Sequence, residues 1–450
     1  MSHVESRYNT GMMAREGLAP RRAALNVLTQ VRAGRPLDAA LDGALRKLDD
    51  DGDRRLAHEM AAGVLRRQQD LDARLSLLVA RDWSKVPARL QDLLRLGAYQ
   101  LMALDRVPAH AAVDTSVSLA REEGGPRAGG FVNAVLRRLG AQPEVPTSAV
   151  EEHGDAPDAA VLARRHSHPL WLVERWVRRF GPDETRRLLQ WNDRRPRLVL
   201  QPARRSAAAL EQVWREAGIP VEPVAYGAGL VTDRRRPEEL PGFDEGAFLV
   251  QDPAQALLAW YADLPAGTTV YDAAASPGGK TIALGRDARL VVAGDVNRRR
   301  VERLSGNLRR AGSGRERPVV ADARRPPVRA VGAVLLDAPC LGTGTFARHP
   351  DARTRVTAEA LERITRTQAE LLGSLAQVVA PGGLLVYSTC SLEPEENELQ
   401  VDRFLAGHPE FRREPSETFP AALLSEKGDM TILPQRHEMD GAYAARLRRT

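Results

Sequence analysis

Cysteine is almost missing from this chain: two copies, Cys340 and Cys390, in 450 residues. Aromatic residues make up only 5%. No apolar run approaches the ~20 residues that a membrane span needs. The first twenty residues hold no apolar signal-peptide core before Pro20. Those absences argue against membrane and exported classes, and a structural disulfide loses the oxidising compartment it needs. The expectation is a soluble protein of the cytoplasm. Lysine is scarce as well: only Lys47, Lys85, Lys280 and Lys427 interrupt a positive charge carried by arginine. Against that bias, a lysine retained at position 280 is informative. The net charge of +6 and a pI near 9.6 favour a polyanionic partner, weakly on their own.

Both cysteines follow apolar runs that read as buried strands. Ala333-Val334-Leu335-Leu336 precedes Asp337-Ala338-Pro339-Cys340, and Leu384-Leu385-Val386-Tyr387 precedes Ser388-Thr389-Cys390-Ser391. A free cysteine is commonly a small buried hydrophobe. In open α/β sheets, however, ligands bind beyond the carboxyl ends of the strands, where both of these fall. Their neighbours (Asp337 and Pro339; Thr389 and the Pro394-Glu395-Glu396-Asn397 run) point to thiol chemistry.

Length allows roughly two to four domains with ample cores. Residues 1–20 read as a flexible N-terminus. Residues 21–140 are helical throughout, with Ala24, Leu25, Val27, Leu28 and Val31 on one face and Leu90, Leu93, Leu94, Leu96, Leu101 and Met102 in a later helix. Gly124-Gly125-Pro126 separates two further helices. Residues 141–160, rich in Pro, Ala and acidic groups, read as a linker. Residues 161–250 read as a small α+β unit. Trp171, Leu172, Trp176 and Phe180 stand there at helical spacing, which favours core packing, and short strands follow near Leu198, Val221, Leu230 and Leu249. The strand part suggests an RNA-recognition-like layout without paired stacking aromatics. From 251 to 450, strands and helices alternate, the signature of a parallel, doubly wound sheet.

The glycine turn Ser276-Pro277-Gly278-Gly279-Lys280-Thr281 follows the first of these strands. It resembles the end of a nucleotide-binding loop, but the first glycine that loop requires falls on Ala274. The dinucleotide fingerprint is absent too. What remains is Asp272 before the turn, Asp295 at the next strand end and Asp322 at the one after. Any one of these aspartates reads equally well as a helix cap. Together, a ribose-binding carboxylate and a phosphate-free turn suit S-adenosylmethionine.

Three stretches then resemble a known family: Asp272 to Thr281, Asp337 to Gly344 (Asp-Ala-Pro-Cys-Leu-Gly-Thr-Gly) and Ser388 to Asn397 are similar to the RNA 5-methylcytosine methyltransferases of the Sun/Nop2 type. Gln251 to Gln255 and Leu433-Pro434 with Asp440-Gly441-Ala442-Tyr443 fit the same pattern. Arg106 to Val113 and Phe131 to Arg138 resemble the NusB-type antitermination fold. The resemblance covers nearly the whole chain. It implies an N-terminal all-α NusB-like bundle, a small α+β RNA-recognition-like domain and a C-terminal α/β, Rossmann-like class I methyltransferase. Departures from the family pattern stand at Ala274, Ser276, Leu341, Ala347, Thr354 and Ala442; those at 347 and 354 bear on RNA contacts.

The resemblance implies methyl transfer from S-adenosyl-L-methionine to carbon 5 of a cytosine in 16S ribosomal RNA, at the position usually named cytosine 967. The residues alone leave open the same chemistry on transfer RNA or another rRNA position, or a non-catalytic RNA-binding antitermination factor. Carbon 5 is a feeble nucleophile until a thiolate adds to carbon 6, so the chemistry needs a cysteine, an acidic group at the polar edge of the base, and a base. Two thiols are present, and the residues do not rank them. By resemblance Cys390 attacks and Cys340 assists release, although DNA-methylating relatives use the cysteine of the Pro-Cys motif. Asp337 is expected to read the base, with Lys280 positioning it or the cofactor. The implied cofactor set is Ala274, Ala275, Ser276, Pro277, Gly278, Gly279, Lys280, Asp295, Arg300, Asp322 and Asp337. Arg137 and Arg138 are candidate phosphate contacts, or simply a solvated helix face. The partner expected is 16S rRNA, with no metal and no membrane, and the chain is expected to be a monomer.

Overall fold

The computed structural model describes residues 17–80, 82–141, 158–232 and 236–450. It divides into two compact units, Met1–Arg194 with Phe346–Arg355, and Arg195–Thr345 with Val356–Thr450. Of the segment read as a flexible terminus, residues 1–16 lie outside the described residues, while Leu18 already opens the first helix. Most of the linker segment, 142–157, lies outside them too.

The first unit is helical. Its helices span Leu18–Arg32, Leu37–Leu45, Asp51–Arg66, Gln68–Leu78, Ala88–Ala103 and Ala109–Ala141. Apolar residues three and four apart bury Leu25, Met60, Leu94 and Leu136 in one core. The Asp50 side chain accepts from the Asp53 amide at 2.8 Å and starts the third of these helices. Gly124 and Gly125 leave helical geometry ahead of Pro126, so the longest helix is two helices joined at a break.

Three more helices follow in the same unit, Ala159–Arg165, Leu170–Phe180 and Pro182–Asn192. The expected core role holds for Trp176, which is buried with ring centroids 5.8 Å from His168 and 6.2 Å from Phe346. Trp171 and Phe180 are half-buried, each beneath an arginine guanidinium. Residues 161–250 are therefore shared between two compact units, dividing after Arg194.

Segment Phe346–Arg355 ends its docking on Arg353, whose guanidinium is buried among three helix C-termini. Nη1 donates to the carbonyls of Arg66 at 3.0 Å and His166 at 2.9 Å and to the Asp193 carboxylate at 3.2 Å. Nη2 donates to the Asn192 carbonyl at 2.6 Å. A planar fork suits this, since each helix end leaves carbonyls without intrahelical donors. Burial lowers the Arg353 pKa to about 10, with Asp193 opposing the shift.

The second unit holds two sheets. In the smaller, β1 (Val199–Pro202), β2 (Val221–Pro223), β3 (Leu230–Thr232) and β4 (Phe248–Val250) pair in the order β2-β3-β1-β4. Every pairing is antiparallel. Helix Ala207–Glu216 links β1 to β2 and buries Trp214 on this sheet. Between β3 and β4 the described residues hold only a single-turn helix, Pro237–Glu239.

The larger sheet orders β10 (Phe411–Arg413), β12 (Ala442–Arg449), β9 (Val379–Thr389), β8 (Val331–Asp337), β5 (Thr269–Asp272), β6 (Leu290–Asp295) and β7 (Glu316–Val320), with β11 (Met430–Ile432) paired to β12. Strands β5 to β9 are parallel and β10 to β12 antiparallel, so the sheet is mixed. Pro381-Gly382-Gly383 lies inside β9 and does not merely end the preceding helix, Ala358–Ala376. The register with β8 slips there, between Val331 and Ala333, which absorbs the proline and the positive φ of Gly382. From β5 the chain winds outward first through β6 and β7, then through β8 and β9. The reversal opens a crevice at the carboxyl ends of β5 and β8, where such folds bind ligands.

Candidate active site

Register brings the two cysteine motifs to the same height. Asp337, the last residue of β8, pairs with Ser388 near the end of β9. Each cysteine then sits just beyond its strand, and Cys340 Sγ lies 3.1 Å from Cys390 Sγ. The Cys390 amide also points at Cys340 Sγ, at 3.4 Å. Both are free thiols and both are half-buried. The Cys390 sulfur, then burial, then the charge of Glu396 push the Cys340 thiol well above its ordinary pKa.

Asp337 is held from two sides. Lys280 Nζ donates to Oδ2 at 2.7 Å, and Ser388 Oγ donates to Oδ1 at 3.0 Å. Of the two roles expected for Lys280, positioning Asp337 is therefore the one with a visible contact. The carboxylate remains about a third exposed, open to a ligand.

The loops bearing the thiols are laced together. The Gly344 amide donates to the Cys390 carbonyl at 3.0 Å, and the Leu392 amide to Thr343 Oγ1 at 2.8 Å. Glycine is required at 344: a Cβ would stand 2.7 Å from the Gly441 Cα and 2.8 Å from the Cys390 carbonyl. Glu396 lies beneath both loops, fully buried, with a pKa raised to about 7 chiefly by that burial.

On the other side of the crevice, Asp272 ends β5, almost fully buried, accepting from Thr281 Oγ1 at 2.6 Å. Burial lifts its pKa to about 6, against the Thr281 hydrogen bond and the Lys280 charge. Its Oδ1 is buried without a partner. The turn Ala274 to Lys280 follows, with Gly278 at φ +110° to close it. Ser276 Oγ donates to the Arg300 carbonyl at 3.1 Å, and the Arg300 side chain is exposed. Asp295 closes β6, buried, and accepts from the Asn297 amide at 2.8 Å. Asp322 falls two residues past β7, where it accepts from the Arg324 amide at 2.9 Å. Val296 and Val320 are exposed beside these aspartates, 66% and 47% respectively.

The family sequence model described as 16S rRNA methyltransferase RsmB/F matches residues 261–448. The "Probable ribosomal RNA small subunit methyltransferase B" of Synechocystis sp. is 35% identical over 92% of this chain and 95% of its own. This chain belongs to the RsmB/F family of 16S rRNA methyltransferases. The Pseudomonas putida "Ribosomal RNA small subunit methyltransferase B" is 34% identical, over 95% of this chain and 98% of that one. The NusB family model matches residues 18–141, the helical region described above. Among solved structures, the crystal structure of PH0851 matches with a TM-score of 0.79 at 25% identity, covering 95% of this chain and 98% of that one.

RsmB/F enzymes are S-adenosylmethionine-dependent, and the crevice fits that cofactor. The unpartnered Asp272 oxygen offers an acceptor for an ammonium group, Asp295 offers one for ribose hydroxyls, and Val296 and Val320 offer apolar faces.

Sequence reasoning missed several residues of this site. Ser388 stands inside the Ser-Thr-Cys-Ser motif, where nothing in the sequence marks it as the second donor to Asp337. Gln368, on helix Ala358–Ala376, joins the two loops from 28 positions away, and nothing in its own stretch marks it. Glu396 carried a weak signal: an acidic residue so close after a cysteine, in a stretch that ends up buried.

Proposed function

We propose that this enzyme methylates carbon 5 of a cytosine in 16S rRNA, at the position usually named cytosine 967, through a covalent bond to Cys390. The observation that carries this is the pair of thiols 3.1 Å apart, one of them three residues beyond an aspartate clamped by lysine. The Cys390 thiolate adds to carbon 6 of the base, forming the S–C6 bond and making carbon 5 electron-rich. Asp337, fixed by Lys280 and Ser388, accepts from the exocyclic amino group and faces ring nitrogen 3, which selects cytosine. S-adenosylmethionine, when bound, supplies an electrophilic methyl group. Carbon 5 then holds both methyl and hydrogen; a base takes that proton, the freed electron pair re-forms the C5–C6 double bond, and Cys390 leaves as the thiolate, with Cys340 assisting release.

Reaching the base requires it to be splayed or flipped from its stack. The cofactor contacts are assigned to Ala274, Ala275, Ser276, Pro277, Gly278, Gly279, Lys280, Asp295, Arg300, Asp322 and Asp337. The helical region and the small sheet would grip RNA through phosphates and shape. Arg137 and Arg138 are weak members of that grip, since both already donate within the protein, to Asn133 Oδ1 at 3.1 Å and the Leu78 carbonyl at 3.3 Å. A cytoplasmic monomer acting without a metal completes the reading.

The test is incubation with unmodified 16S rRNA and methyl-labelled cofactor, followed by bisulfite sequencing. A single protected cytosine at 967 is the expected result. Label in transfer RNA with none in 16S rRNA overturns the assignment.

A further inference from the structure

Glu396 is a charge-bearing group buried under both thiol loops, and the chemistry proposed above does not use it. Its Oε1 accepts from the Leu341 amide at 2.9 Å, immediately after Cys340, and from Gln368 Nε2 at 3.0 Å. The same Gln368 nitrogen reaches the Pro339 carbonyl at 2.9 Å, immediately before Cys340. Its Oε2 accepts from Ser391 Oγ, immediately after Cys390. One carboxylate thus receives donors from the residue that follows each cysteine. The carboxylate is also anchored from its own backbone, because Tyr387 Oη donates to the Glu396 carbonyl at 2.6 Å.

We propose that Glu396 is the positioning residue of the two-thiol site, its carboxylate holding the Cys340 loop to the Cys390 loop. This rests on the two-thiol reading given above and deepens it. Three donors favour the ionised form, while burial and the nearby Glu393 oppose it, so the group changes charge close to neutrality, at about pH 7. Ionisable groups around it include Glu393, the two thiols, the Tyr387 phenol (itself held protonated by burial and by Glu396) and the Arg403 guanidinium, which is turned to the Glu395 carbonyl and Gln400. Helix Ala358–Ala376 contributes only the neutral Gln368. Cys340 therefore meets a neighbour that is neutral below about pH 7 and negative above it.

The experiment is residue-resolved alkylation of the full chain with iodoacetamide across pH, read by mass spectrometry, alongside steady-state methyl transfer. In the wild type, the Cys340 rate should show an inflection near pH 7 ahead of the main thiol titration. In Glu396→Gln, which keeps the size and an acceptor, that inflection should vanish and the main midpoint should fall by roughly one pH unit. The variant's kcat should drop about tenfold while KM for S-adenosylmethionine stays within about twofold. An unchanged Cys340 profile in the variant overturns the proposal. Should the variant not fold, a wild-type profile with a single inflection overturns it equally. Alkylation needs neither RNA nor turnover. Absence of RNA methylation by the wild type therefore refutes the functional reading, while the alkylation profile still decides the role of Glu396.

Discussion

Lys280 donates to Asp337 at 2.7 Å across the crevice between β5 and β8, joining the cofactor turn to the thiol loop. A lysine from the first strand–helix turn thereby fixes a carboxylate three residues ahead of a cysteine. Removing that donor leaves Asp337 held by Ser388 alone and free to rotate. Lys280→Met is expected to lower kcat by about a hundredfold, the usual scale for losing a charge-assisted positioning contact. Lys280→Arg should recover part of it. Single-turnover methyl transfer is the check, and full activity in Lys280→Met would remove the positioning role.

Asp337→Asn is expected to be more severe than Lys280→Met. The amide keeps the shape but presents a donor where the cytosine amino group needs an acceptor. Substrate competition with uracil-containing and cytosine-containing RNA fragments should show discrimination collapsing together with rate. Loss of rate with discrimination retained would assign base selection elsewhere.

Gly344→Ala places a Cβ 2.7 Å from the Gly441 Cα and 2.8 Å from the Cys390 carbonyl, both backbone atoms that cannot swing aside. The thiol loops must separate. Methyl transfer is expected to fall more than about a hundredfold, because sub-ångström positioning of the reacting groups is what the loops supply. Calorimetric affinity for S-adenosylmethionine should be unchanged, since the cofactor turn lies on the other side of the crevice.

Arg353 supports the helical unit through four hydrogen bonds to groups that have few alternatives. Arg353→Ala leaves three carbonyls and the Asp193 carboxylate short of a donor. A loss of about 3 kcal/mol is expected in chemical denaturation. Arg353→Lys should recover little, because an ammonium on a flexible stem lacks the planar fork.

Two buried carboxyl groups make stability depend on pH in a definite direction. Asp272 and Glu396 hold their protons to about 6 and about 7 in the folded chain. In the unfolded chain they release them at roughly 4. Their favourable contribution is therefore complete below ~4 and is lost as pH rises through the folded values. Denaturation midpoints should fall between about pH 4 and about pH 7, and the fall should be shallower in Asp272→Asn. An identical slope in that variant would contradict the assignment.

Much of this was legible from residue order. Strand ends carrying Asp272, Asp295 and Asp337, and cysteines just past two apolar runs, follow from local pattern because strand direction and alternation are local properties. The Gly-Gly-Pro break after residue 123 was legible for the same reason: backbone conformations available to glycine and proline are intrinsic. Long-range partners were not. Gln368 and Arg353 meet groups 28 and as many as 287 positions away, and no periodicity in their own helix or turn reports such contacts. Pro381-Gly382-Gly383 reads locally as the end of an element, whereas a register shift against β8 lets the strand run through it.

The central claim is a covalent bond between Cys390 and the RNA base, and trapping tests it most directly. Wild type, Cys340→Ala and Cys390→Ala are each incubated with S-adenosylmethionine and unmodified 16S rRNA, then resolved on a denaturing gel. The account predicts an RNA-shifted band for Cys340→Ala, where attack proceeds and release stalls, and none for Cys390→Ala. A shifted band for Cys390→Ala alone would contradict it by exchanging the roles of the two thiols.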